Sequence, residues 1–207
     1  MTLQGVTYQG PALENPSKLQ GLPDDLIEIL WQVNGFVAYA GGLHIRGMVE
    51  EPGWHSFDRY CSGDMALRRL FHEVRDYDIP FGQDFLGNQF LLRDRVVWRL
   101  RAETGEMSSM GVELGQFLGE SRESPIGYLG LELLARYHQE HGPIEPGQLI
   151  HTMPPLCLDR GEQKLALKAV PADEGVTYLA SLARQIGDVP DGQEVRLELA
   201  WPPSSIQ

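Results

Sequence analysis

Phe90-Leu91-Leu92-Arg93-Asp94-Arg95-Val96-Val97-Trp98-Arg99-Leu100 is the stretch on which the fold turns. Two apolar, β-prone runs, 90–92 and 96–100, flank a charged triplet, and that pattern predicts an antiparallel hairpin. Just upstream, Gly82 and Gly87 permit a tight loop, where Asn88 is expected to bond its own backbone. Downstream of Thr104-Gly105 a further strand is expected to reach Ser109. Shorter apolar runs at 36–39 and 43–45, broken by Gly41-Gly42, read as the start of a sheet.

Helices surround these strands. Pro23 with Asp24 and Asp25 forms a favourable first turn, since proline loses nothing there and carboxylates meet the positive dipole end. Leu26, Leu30 and Val33 then make one stripe, with Ile27 and Trp31 beside it, and Asn34-Gly35 supplies the stop. A second helix is expected over 65–74, capped by Asp64 and facing inward through Leu67, Phe71 and Val74. A short one is expected over 112–118. A longer one should run from Ser124-Pro125 to His141, ended by Gly142-Pro143. Residues 1–21 read as a polar arm laid over the body. Near the C-terminus a strand over 164–170, a helix over 173–186 and an alternating strand through Val195, Leu197 and Leu199 are expected. Strands and helices interleave without a steady strand-helix rhythm, so the class is α+β rather than doubly wound.

The chain has 207 residues, 17 of them basic and 29 acidic, for a formal net charge of -12. That excess, spread along the whole chain, argues against nucleic acid and anionic membranes as partners, because both require a clustered basic surface. Met1 to Gly5 lack the basic n-region of a secretory signal, and no apolar run approaches a membrane span. Cys61 and Cys157 stand far apart. A reducing, cytoplasmic setting is the expectation, with both thiols acting as small buried hydrophobes.

Catalytic frames are missing. There is no G-x-S-x-G elbow, no P-loop lysine and no H-E-x-x-H or zinc-deaminase spacing. His138 and His141 share a helix end, but two imidazoles without a third ligand are better explained by the helix dipole. Trp31, Trp54, Trp98 and Trp201 read as packing residues. Neither a cofactor nor a metal is expected.

The order of the segments resembles the SUKH superfamily. Leu22-Pro23-Asp24-Asp25-Leu26-Ile27-Glu28-Ile29-Leu30-Trp31-Gln32-Val33-Asn34-Gly35 is similar to its opening helix, and Ile79-Pro80-Phe81-Gly82-Gln83-Asp84 with Gly87-Asn88-Gln89-Phe90-Leu91-Leu92 to its glycine-containing loop and strand. Val97-Trp98 fits the following strand and Gln116-Phe117-Leu118 the late helix. The likeness covers roughly residues 20–120; the stretch between Gly35 and Ile79 departs from it. Gly142-Pro143-Ile144-Glu145-Pro146-Gly147 with Pro154-Pro155-Leu156 resembles C-terminal modules of some type VI secretion immunity proteins.

The resemblance implies a SUKH-like antiparallel or mixed sheet flanked by helices over 1–141; residues 142–207, beyond the family's usual signature, read from their own pattern as a C-terminal β-α-β extension packed on it. It implies a non-enzymatic binding protein. Bacterial members are immunity proteins that neutralise polymorphic toxins, often nucleases or deaminases, and fungal relatives include a regulator of cell-wall synthesis. Pro23, Asn34, Gly35, Gly82, Gly87, Asn88 and Trp98 would then be architectural. An acidic inhibitor would be steered to the basic cleft of a toxin that acts on nucleic acid, with charge setting the on-rate and aromatic anchors supplying affinity. Candidate contacts are Glu50 and Glu51 beside Trp54, then Asp58, and Asp76 with Tyr77 and Asp78. A regulatory or secretion-system accessory protein is the alternative, and an unrecognised hydrolase the third reading.

Overall fold

The computed structural model describes residues 5–158 and 164–187, together with 189, 190, 192, 193 and 197. Seven strands form one antiparallel sheet in which spatial order equals chain order: β1 (Val6–Gln9), β2 (Phe36–Ala38), β3 (Leu43–Ile45), β4 (Ile79–Asp84), β5 (Gln89–Arg93), β6 (Val96–Leu100) and β7 (Met107–Glu113). An antiparallel ribbon of β8 (Gln148–Met153) and β9 (Ala166–Pro171) stands apart. Among the described residues the helices are α1 (Asp24–Gln32), α2 (Phe57–Cys61), α3 (Leu67–Leu70), α4 (Leu114–Glu123), α5 (Pro125–Leu129), α6 (Glu132–His141) and α7 (Ala172–Ile186). The class is α+β.

The hairpin organises this arrangement. Leu91 pairs with Trp98 and Leu92 with Val97, while Asp94 and Arg95 take left-handed conformations in the two-residue turn. Side chains alternate across a strand. Phe90, Leu92 and Val97 therefore enter a core beneath α1 and α4, whereas Leu91 and Leu100 enter a second core against α7. This explains an uninterrupted apolar run in an antiparallel strand: β5 is covered on both faces.

On the first face, Leu26 and Leu30 of α1 are fully buried, each contributing about 2 kcal/mol of apolar burial. Phe117 of α4 meets Phe90 at 4.8 Å and Phe81 at 5.8 Å between ring centroids. On the second face, α7 presents Val176, Leu179, Ala180 and Ala183, and α2 and α3 add Tyr60 and Leu67. The ribbon is tied to the sheet where Ile150 N–H donates to the Phe85 carbonyl at 2.7 Å. Gly87 sits at that junction with φ +84°, and a Cβ there would meet Leu179 and Leu149 at about 3 Å.

Several expectations are corrected. Val6–Gln9 of the presumed arm is a sheet strand, with Val6 opposite Ala38 and Gln9 opposite Phe36. The helix expected over 65–74 is a single turn, α3, and Asp64 does not cap it; Phe71 already has extended backbone, although Leu67, Phe71 and Val74 are buried as expected. The strand after Gly105 continues to Glu113, so α4 begins at Leu114. The long helix ending at His141 is divided by Gly130 at φ +69°, giving α5 and α6. Asn88 does not bond its own backbone. Instead the Asp84 carboxylate accepts from Leu86 N–H, Asn88 N–H and Asn88 Nδ2, while Asn88 Oδ1 accepts from Ala102 N–H. The strand expected through Val195 and Leu199 lies outside the described residues, as does Trp201.

Candidate functional site

The connection between β3 and β4 carries all seven sequence-derived contact candidates, and its root is built by the end of α1. Asn34 follows the helix, Gly35 turns the chain at φ +77°, and the Asn34 side chain grips Met48. Met48 N–H donates to Asn34 Oδ1 at 2.7 Å, and Asn34 Nδ2 donates back to the Met48 carbonyl at 3.3 Å. Beyond Met48 the loop emerges with Glu50 and Glu51; the Glu51 carboxylate accepts from Gly53 N–H at 2.9 Å.

Glu50 is 90% exposed in its side chain. Together with Glu14 and Glu51 it rims a cleft of about 530 Å³ floored by Met48 and Val49. One cation enters: Lys18 lies 3.7 Å from Glu50 and 3.2 Å from Asp58, whose carboxylates raise its pKa. Three carboxylates in the cleft against one ammonium, with Asp58 alongside, leave a negative surface.

A second cleft, of about 330 Å³, opens on the other side of the Pro16–Leu19 turn. Phe57, Leu67, Val74 and Pro80 give it an apolar lining, and Asp76 and Tyr77 stand at its lip. Asp76 is 92% exposed and pairs with Arg68 at 3.2 Å. Tyr77 is 56% exposed and accepts a hydrogen bond from Arg75.

Two candidates are elsewhere in the energetics. Asp78 is buried: its carboxylate takes a bidentate pair of bonds from Arg93, 2.8 Å from Nε and 2.7 Å from Nη2, and accepts Arg75 N–H at 2.8 Å. Trp54 is half-buried among Tyr8, His44 and His55, with Gly147 pressed on its indole. Among the remaining motif residues, Pro23 is the N-cap of α1, Gly82 lets β4 lie against the His44 carbonyl, and Trp98 supports the Arg93 guanidinium at 4.7 Å.

Glu14 and Lys18 belong to the cleft but were hidden in the segment read as an arm. Trp31, 64% exposed on α1, is the largest outward aromatic among the described residues. The stripe could have shown this, because five residues beyond Leu26 lies about 140° around the helix from the buried side. Arg46 was also missed. It is fully buried on the Tyr60 ring at 3.8 Å and donates to the Pro80 and Gly82 carbonyls and to the side chains of Gln83 and Gln89.

Burial pushes the Cys61 thiol up to about 11 despite nearby Arg46, and burial with Glu103 pushes Cys157 up to about 12, so both are thiols at neutral pH. Both cysteines are half-buried. Among the described residues no group of three His, Cys, Asp or Glu side chains is placed to hold a metal ion, and no helix is long and apolar enough to cross a membrane.

No known protein family matches the chain, and no curated protein matches it. Among solved structures, the crystal structure of Atu4351 from Agrobacterium tumefaciens is similar with a TM-score of 0.49 and 9% sequence identity, over 84% of this chain and 85% of that one.

Proposed function

We propose that this chain is a non-enzymatic, SUKH-like binding protein of the immunity type, which neutralises a basic toxin domain by covering it. The observation that carries the reading is the pairing of two neighbouring clefts. One is rimmed by Glu14, Glu50 and Glu51, and the other combines apolar walls of Phe57, Leu67, Val74 and Pro80 with Arg68 and Arg75, and has Tyr77 and Asp76 at its lip. The carboxylates attract a cationic surface and accelerate encounter; the apolar walls and Tyr77 supply contact area that slows release. A nuclease or deaminase domain fits, since a protein that binds phosphates exposes clustered Lys and Arg.

The test begins with the tagged full chain purified from its native cells, followed by identification of whatever protein accompanies it in stoichiometric amount. Association with that protein is then timed at about 50 mM and about 500 mM salt. The on-rate should fall by about tenfold or more, and a Glu50→Lys/Glu51→Lys variant should reproduce much of the loss at low salt. An on-rate indifferent to salt overturns the steering. A partner with no toxic activity favours the accessory reading, and turnover of an ester or phosphodiester abolished by one substitution favours the hydrolase.

A further inference from the structure

His44 and His55 form a stacked pair with ring centroids 5.1 Å apart and His44 Nε2 2.9 Å from His55 Nδ1. The neighbouring acceptor fixes their protons. His55 Nε2 is 3.1 Å from the Asn34 carbonyl, which can only accept, so Nε2 carries the hydrogen and Nδ1 does not. His44 Nε2 must therefore donate to His55 Nδ1. This line of bonds accommodates two neutral imidazoles; protonating His55 at Nδ1 would set two N–H groups against each other.

The backbone of His55 is the second half of the arrangement. Gly47 N–H donates to the His55 carbonyl at 3.0 Å and Phe57 N–H to the Gly47 carbonyl at 2.8 Å, closing residues 47–57 into a ring. Gly47 is obligatory there, because a Cβ would fall 2.7 Å from His55 Nε2. The ring carries Glu50 and Glu51 and leads into α2 with Asp58.

We propose that the His44–His55 pair is an acid-sensitive latch: both rings neutral, it holds the 47–57 ring on Asn34, and protonation of His55 at Nδ1 releases the 47–57 ring while the sheet stays folded. The surroundings favour the neutral form. Arg46, just past β3, places a guanidinium nearby, Tyr8 of β1 and Trp54 pack uncharged rings on the pair, and Gln83 of β4 lies opposite His44. Asp84 and Glu145 line a small cavity beside His44, but Asp84 is taken up by Arg99 and the 84–88 loop. Among the described residues no carboxylate pairs with either imidazole, so no counter-charge offsets a proton there; the Asn34 carbonyl alone favours the charged form of His55, and burial outweighs it. Burial and Arg46 hold His44 well below its ordinary value, and burial brings His55 down to about 4.

The magnitude follows by linkage. With a pKa of about 4 closed and about 6.5 open, His55 favours the open ring about 30-fold more at about pH 5 than at about pH 7.5. Release of the acidic wall would also weaken partner binding in acid. That consequence rests on the function proposed above; the latch does not.

Hydrogen exchange of the full chain without partner is the test, measured across this pH range and normalised to intrinsic amide rates. Opening of peptides covering 47–57 should rise about 30-fold toward pH 5, while peptides from β5 and β6 change much less. A His55→Gln variant keeps a donor for Asn34 and should flatten the response. The latch is overturned if the ring opens equally at both pH values, or only together with β5 and β6. Loss of acid-sensitive binding with intact acid-sensitive exchange would reject the partner surface and leave the latch standing.

Discussion

Removing the carboxylate of Asp78 should be among the most damaging single changes to this fold. The Asp78 side chain is fully buried and its partner Arg93 is 8% exposed. In an Asp78→Ala variant the guanidinium retains only the Glu73 carbonyl at 3.1 Å and the face of Trp98. Two charge-assisted bonds disappear, each worth about 1.5–3 kcal/mol, and Arg75 N–H loses its acceptor. Some water will reach the vacated site, so the net cost is about 3–5 kcal/mol, dominated by the stranded charge. For a chain of this size that is a large fraction of total stability and lowers Tm by about 10 °C. Urea unfolding followed by circular dichroism and by tryptophan fluorescence gives the free energy. Arg93→Met should cost a similar amount by leaving the carboxylate unpaired, whereas Asp78→Leu/Arg93→Met should cost much less than the sum. A single-variant cost below about 1 kcal/mol, or strict additivity in the double variant, would refute this account of the pair.

Two further changes probe the packing between sheet and C-terminal ribbon. Gly87→Ala places a Cβ on a left-handed residue and against Leu179 and Leu149, and should cost about 2–4 kcal/mol in urea unfolding; a neutral result would mean that the ribbon is not seated there. His151, brought down to about 4 by burial and secondarily by Lys168, titrates below its unfolded value of about 6.5. The unfolded state then binds more protons between those values, so this contribution is intact above about pH 6.5 and is lost as pH falls toward 4. Allowing for partial exposure, the loss is about 2 kcal/mol. His151→Phe should therefore make the pH dependence of stability shallower by that amount, and identical slopes in the two proteins would rule the assignment out.

What could be read from the sequence was what neighbouring residues decide. The α1 stripe and the turn at Gly35 are local, and so is the 90–100 hairpin. Gly130 was invisible because a single glycine inside a helical pattern is usually tolerated at about 1 kcal/mol; only the backbone shows it at positive φ. Val6–Gln9 could not be recognised as a strand because its partner, β2, lies across α1. The site divides in the same way. Glu50, Glu51, Asp58, Asp76 and Tyr77 are exposed, as polar or amphipathic loop residues often are. Asp78 and Trp54 are withdrawn by partners that no local pattern announces: Arg93 on the next strand but one, and Gly147 beyond α6.

A sheet whose spatial order repeats its chain order has a bearing on how the protein is made. Each new strand joins the one that precedes it, so the seven can be laid down in turn as the chain leaves the ribosome, without waiting for anything downstream. Among the described elements α7 emerges last, and it completes the cover over Leu91 and Leu100 that Tyr60 and Leu67 begin. Until it arrives, the nascent sheet is complete in hydrogen bonds but only partly covered on that side. That interval, rather than strand pairing, is when the growing chain is most exposed to aggregation.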